Sequence, residues 1–115
     1  MIQIYHNPRC TKSRQGLAAL EASGEPFEII NYLEDVPTKK DLKRILGYLN
    51  LPAEKLVRKN EAIWKEHYRG KTLSEEQVIE AMVSYPKLIE RPIVLKGDKA
   101  VIGRPTENIR ELLKD

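Results

Sequence analysis

Cys10 is the only cysteine in this chain of 115 residues, and it lies in the segment Tyr5–Arg14, YHNPRCTKSR. Pro8 precedes it, and polar or cationic residues such as Arg9 and Lys12 surround it. The thiolate is the reactive form of cysteine, and nearby positive charge lowers the pKa of the thiol below its free value of about 8.5. Most free cysteines are small buried hydrophobic residues, but these neighbours favour a reactive thiol.

The spacing around Cys10 excludes three kinds of site. A dithiol oxidoreductase needs a second cysteine where this chain has Ser13, and a cysteine phosphatase loop needs arginine where it has Gly16. A structural zinc site needs about four ligands, whereas Cys10, His6 and the distant His67 supply too few, so we expect no metal. A single cysteine forms no internal disulfide, which suits a reducing compartment.

The apolar pattern predicts the elements that hold Cys10. Residues 2–5 are predicted as a strand, 11–23 as a helix that Gly24 closes, and 27–32 as a second strand. A strand, a helix and a strand within about 30 residues form a βαβ unit with parallel strands. Residues 38–85 then follow as a mainly helical block.

Two apolar runs at 93–95 and 100–102 flank the turn signal Gly97-Asp98, which predicts an antiparallel hairpin, and a last helix follows Pro105. The order matches a thioredoxin-like α/β fold: a mixed four-stranded sheet, βαβ then ββα, with a helical insertion at about 38–85 between strands 2 and 3. At this length we expect a single domain over residues 1–115.

Three arginines from later in the chain are candidates for the same site: Arg58 in LVRKN, Arg91 in ERPIVL and Arg104 in GRPTE. In a thioredoxin-like sheet the proline before the third strand, here Pro92, packs beside the first helix and is typically cis. Arg91 is therefore expected next to Cys10. A helix N-terminus and guanidinium groups both favour oxyanions. Each arginine alone would be a surface ion-pair residue by default, but their convergence predicts an anion pocket.

Two polar side chains near the predicted thiolate complete the candidate site. His6 ends the first strand, where it can donate to the sulfur or help to hold the loop, although a histidine at a strand end is often structural. Ser13 lies one helical turn beyond Cys10, within reach for a hydrogen bond from its hydroxyl.

Composition is that of an ordinary globular protein, with 41% hydrophobic and 32% charged residues. The net charge of +3 comes from 20 basic and 17 acidic residues that are spread along the chain, so no nucleic-acid partner is predicted. The first residues show no signal-peptide pattern, and no apolar run approaches membrane-spanning length. We expect a cytoplasmic protein without a membrane partner.

The four motifs YHNPRCTKSR, LVRKN, ERPIVL and GRPTE, in this order and spacing, resemble the glutathione- and glutaredoxin-coupled arsenate reductases of the ArsC family. The resemblance covers nearly the whole chain. It implies a thioredoxin-like fold, Cys10 as the nucleophile that attacks arsenate or a similar oxyanion, and tuning of the thiolate by His6 and Ser13. The residues that it implies for binding arsenate are Arg58, Arg91 and Arg104.

The resemblance also implies glutathione as co-substrate, glutaredoxin as partner, no tightly bound cofactor and a monomer. The chemistry is consistent, because a thiolate can attack arsenic(V) with loss of water or hydroxide, and an external thiol must then reduce the adduct. Two alternatives stay open. One is a glutathione-dependent oxidoreductase with another substrate, and the other is a regulator similar to Spx that binds the RNA polymerase α subunit. Such regulators often carry a C-x-x-C switch, which Ser13 removes here.

Overall fold

The computed structural model describes residues 2–114, which form two compact units. One unit comprises residues 2–35 and 91–114 and contains the sheet, and the other, residues 36–90, is largely helical. The predicted insertion at about 38–85 falls inside the second unit. That the whole chain is one domain stays a prediction. No helix in the described part of the chain is both long enough and apolar enough to cross a membrane.

The sheet unit contains four strands: β1 (Ile2–His6), β2 (Phe27–Asn31), β3 (Ile93–Lys96) and β4 (Lys99–Ile102). Their order is β2-β1-β3-β4. Strand β1 is parallel to β2 and antiparallel to β3, and β3 and β4 form the predicted hairpin. The turn residue Gly97 has a φ of 63°, a conformation that favours glycine. This mixed sheet confirms the predicted thioredoxin-like fold.

Two helices pack on one face of the sheet: α1 (Thr11–Ser23) and α5 (Glu107–Leu113). Helix α1 ends where predicted, at Gly24, which adopts the left-handed conformation. The core beneath the two helices consists of Ile2, Ile4, Leu20, Val94, Ile109 and Leu112. Each such side chain contributes about 1.5–3 kcal/mol when it is fully buried. This packing holds α1 against the sheet.

The helical unit contains three helices: α2 (Lys39–Leu49), α3 (Ala62–His67) and α4 (Glu75–Ser84). Single 3₁₀ turns lie at Ala53–Lys55 and Pro86–Leu88. Capping boxes at Thr38 and Ser74 start α2 and α4. The core of this unit includes Leu42, Ile45, Leu46, Leu56, Ile79, Met82 and Leu88.

Candidate active site

Cys10 is the N-cap residue of α1, in the extended conformation that precedes a helix. Its backbone N–H donates to the Asn7 carbonyl at 3.0 Å, and its own carbonyl accepts from the Arg14 N–H at 3.0 Å. These two bonds join the loop to the first turn of the helix. The free thiol is half-buried and lies where unpaired backbone N–H groups and the positive end of the helix dipole favour an anion.

The surroundings of the sulfur lower the pKa of Cys10 to about 7. Burial acts in the opposite direction and raises the pKa, but the backbone N–H of Ser13, the Arg91 side chain and the backbone N–H of Lys12 together outweigh it. The positive charge of Arg91 acts in addition to its hydrogen bond. A substantial fraction of Cys10 is therefore thiolate near neutral pH.

Arg91 and Arg104 both reach the sulfur from distant parts of the sequence. Arg104 donates from Nη2 to Cys10 Sγ at 3.5 Å, and Arg91 also hydrogen-bonds to the sulfur. The two arginines are themselves connected, because Arg104 Nε donates to the Arg91 carbonyl at 2.7 Å. The sheet unit thus brings together three of the residues that the sequence predicts for the site.

Pro92 connects Arg91 to the sheet, and the Arg91–Pro92 peptide bond is cis, as predicted. The proline ring packs against two glycines. A Cβ atom added at Gly16 or at Gly103 would lie 2.8 Å from Pro92 Cγ. Gly103 also donates from its N–H to the Pro92 carbonyl at 2.8 Å. The sequence analysis assigned no role to these glycines. A signal was available for Gly16, because a glycine inside a helix is unfavourable unless another group packs closely there.

His6 and Ser13 contact each other beneath the loop, and both are buried. His6 Nδ1 lies 2.7 Å from Ser13 Oγ, and Ser13 Oγ accepts from the Asn7 N–H at 2.9 Å. Burial lowers the pKa of His6, a hydrogen bond with the Ser13 backbone raises it, and the charge of Arg14 lowers it, with a net decrease. Of the two roles predicted for His6, these contacts correspond to holding the loop. Ser13 reaches the sulfur through its backbone N–H, while its hydroxyl binds His6 and Asn7.

Comparison with known proteins identifies the family. The ArsC family model matches residues 5–112. This chain belongs to the ArsC family. It is 47% identical to the Escherichia coli protein YfgD, described as uncharacterized, with 97% of this chain and 96% of the relative covered. It is 40% identical to an arsenate reductase of Neisseria meningitidis serogroup A, with 97% of each chain covered. The solved structure of an arsenate reductase from Vibrio cholerae superimposes with a TM-score of 0.92 at 43% identity, over 96% of this chain and 95% of that one.

In this ArsC-family chain, the third predicted arginine, Arg58, lies in the helical unit. Its backbone N–H donates to the Leu88 carbonyl at 2.7 Å, and the Glu90 N–H donates to the Leu56 carbonyl at 2.8 Å. Arg58 Nη2 lies 3.7 Å from a carboxylate oxygen of Glu61. Its Nη1 is buried and has no hydrogen-bond partner among the described residues. A role for Arg58 beside Cys10 stays a prediction.

The sheet unit of this ArsC-family chain therefore places the Cys10 thiol beside two guanidinium groups. A thiolate at a helix N-terminus is ready for attack on an electrophile. Two guanidinium groups at the same sulfur offer paired N–H donors to a tetrahedral oxyanion. This combination fits a reaction in which sulfur bonds to the central atom of an oxyanion while the arginines bind its oxygens.

Proposed function

We propose that this protein is an arsenate reductase in which Cys10 is the nucleophile and external thiols supply the electrons. The observation that carries the proposal is the Cys10 sulfur, which receives hydrogen bonds from both Arg91 and Arg104 at the start of α1. Membership of the ArsC family and the arsenate reductases among the relatives support the same choice of substrate.

The first step forms a sulfur–arsenic bond. The Cys10 thiolate attacks H₂AsO₄⁻, one oxygen leaves as hydroxide or, with a proton, as water, and arsenic stays at oxidation state +5 in the adduct. Because the pKa of Cys10 is about 7, a large part of the protein is ready for this attack at neutral pH. Arg91 and Arg104 neutralise the negative charge of the oxyanion, which otherwise repels the thiolate.

Two external thiols complete the reduction. Together they donate two electrons and leave as a disulfide, and arsenic changes from +5 to +3. The Cys10–arsenic bond breaks in this reduction, which releases arsenite and returns the Cys10 thiolate. The balance is H₂AsO₄⁻ plus two RSH giving H₂AsO₃⁻, RSSR and water. The chain has one cysteine and cannot supply the second thiol itself. Glutathione as co-substrate and glutaredoxin as partner, in the reducing cytoplasm, are our proposal for this role.

The remaining site residues have supporting parts in this proposal. The hydrogen bond between His6 and Ser13 holds the loop that carries Cys10, and the Ser13 backbone N–H stabilises the thiolate. Arg58 is proposed as a third ligand for the oxyanion because its motif LVRKN resembles that of the arsenate reductases.

A coupled assay tests the proposal. Purified protein is mixed with glutathione, glutaredoxin, glutathione reductase and NADPH, and consumption of NADPH is expected to start when arsenate is added. Cys10→Ser is expected to abolish it. A parallel reaction with thioredoxin and thioredoxin reductase identifies the reductant.

The proposed function is wrong if neither couple gives arsenate-dependent consumption. Consumption with a different oxidant under the same conditions would then indicate a glutathione-dependent oxidoreductase. Capture of the RNA polymerase α subunit by the inactive protein would indicate a regulator.

A further inference from the structure

Asn108 on α5 is connected to the site through the backbone of Arg104. Its Nδ2 donates to the Ile102 carbonyl at 2.9 Å and to the Arg104 carbonyl at 3.2 Å. A side-chain amide has two N–H groups, so one serves each carbonyl. These carbonyls lie on either side of Gly103, at the end of β4. Asn108 therefore bridges the turn from which the Arg104 side chain extends.

The rest of this turn is held by neighbouring groups. The Gly103 N–H donates to the Pro92 carbonyl at 2.8 Å, and Arg104 Nε donates to the Arg91 carbonyl at 2.7 Å. The Arg91 carbonyl thus holds the Arg104 guanidinium, and Asn108 holds the Arg104 backbone carbonyl. The N-cap of α5, Thr106, makes no side-chain capping bond, so Asn108 provides the side-chain link between this helix and the turn.

We propose that Asn108 is a positioning residue that holds Arg104 against the Cys10 sulfur. This inference rests on the proposed function for its importance in arsenate binding, but the contact with the sulfur can be tested without arsenate. When Asn108 no longer donates, the turn loses two hydrogen bonds and Arg104 gains freedom to leave the sulfur. The thiolate then loses a charge-assisted donor, and an oxyanion loses one arm of its binding site.

A double-mutant cycle on the alkylation rate of Cys10 at pH 6 tests the proposal, with the cycle made from Asn108→Ala and Arg104→Ala. We expect Arg104→Ala to slow alkylation by roughly three- to tenfold and Asn108→Ala by roughly two- to fivefold, since both reduce stabilisation of the thiolate. The double variant is expected to be no slower than Arg104→Ala alone. Glu107→Gln, an exposed neighbour on the same helix, is the control and should match the wild type.

Several outcomes would overturn the inference. If Asn108→Ala slows alkylation by the same factor in both backgrounds, it loosens the fold generally and does not act through Arg104. If Arg104→Ala has no effect on the alkylation rate, the hydrogen bond from Arg104 does not stabilise the thiolate. If Asn108→Ala has no effect, Asn108 does not hold Arg104 against the sulfur. Circular dichroism melts check folding, and Asn108→Ser, which keeps one short donor, replaces the alanine variant in the cycle if that variant unfolds.

A second readout separates this inference from the proposed function. In the coupled assay, Asn108→Ala is expected to raise KM for arsenate more than it lowers kcat, because Arg104 is still present but less well placed. If the wild type does not turn over arsenate, the proposed function fails, and the alkylation cycle alone still decides whether Asn108 positions Arg104.

Discussion

Gly16→Ala is the substitution that best tests how the site is built. Gly16 lies in the second turn of α1, where an alanine would ordinarily favour the helix by about 1 kcal/mol. Here its Cβ would lie 2.8 Å from Pro92 Cγ and 3.0 Å from Ile109 Cδ1. The Ile109 side chain can rotate away, but the Pro92 ring is closed and cannot. We therefore expect the overlap to exceed the gain in helix propensity.

The magnitude follows from these opposing terms. Overpacking of a buried contact costs about 1–3 kcal/mol, and the gain in helix propensity offsets up to about 1 kcal/mol of this. The expected result is a free energy of unfolding lower by about 0–2 kcal/mol than that of the wild type. Movement of Pro92 should also displace Arg91, so alkylation of Cys10 at pH 6 is expected to slow as well.

Two matched variants isolate the steric effect. Gly47→Ala is a glycine-to-alanine change in α2 at a position where the added Cβ meets no atom within 4 Å, so it should stabilise by up to about 1 kcal/mol. Ala18→Gly, at an exposed position of α1, measures helix propensity in the same helix as Gly16. Urea unfolding followed by circular dichroism gives all three values. If Gly16→Ala stabilises the protein as much as Gly47→Ala does, the packing of Pro92 on Gly16 does not constrain the site.

Two further predictions concern protonation. The alkylation rate of Cys10 is expected to have a pH midpoint near 7, and Arg91→Ala should raise this midpoint, because burial then acts with fewer counter-charges. An unchanged midpoint would show that Arg91 does not stabilise the thiolate. Burial lowers the pKa of His6 below 6.5, so its contribution to stability is complete above about pH 6.5 and is lost as the pH falls through the lower folded pKa. His6→Asn is therefore expected to flatten the dependence of the urea midpoint on pH between pH 7 and pH 5, and a variant with the wild-type slope would contradict this.

Local patterns were sufficient to predict most of the fold. Helix α1 was predicted over its full length, because apolar spacing and Gly24 are signals contained within the helix and its cap. The hairpin was predicted from Gly97-Asp98 for the same reason. The segment 53–69 was less predictable, since it consists of a 3₁₀ turn and the six-residue helix α3, which are too short for a periodic pattern.

Some residues of the site could likewise be predicted from the sequence, and others could not. Cys10 and Arg91 could be placed from the chain order alone, because a thioredoxin-like sheet brings the residue before Pro92 to the start of the first helix. The backbone donors at the sulfur could not be placed, since they depend on distances within one helical turn: the Ser13 hydroxyl binds His6, and the Ser13 backbone N–H reaches Cys10. The contact of Gly103 with Pro92 depends on close approach of segments that sequence spacing does not reveal.

Arg91 and Arg104 act as a pair, because Arg91 supplies a side chain to the sulfur and a carbonyl to Arg104. In the free protein their N–H groups stabilise the thiolate. When the sulfur bonds to arsenic in the proposed reaction, the sulfur loses its negative charge and the oxygens of the adduct carry it instead. The same N–H donors can then bind these oxygens. One arrangement therefore both lowers the pKa of Cys10 and binds the adduct. Since this chain has no second cysteine to release the adduct, the proposed reaction needs an external thiol at that step.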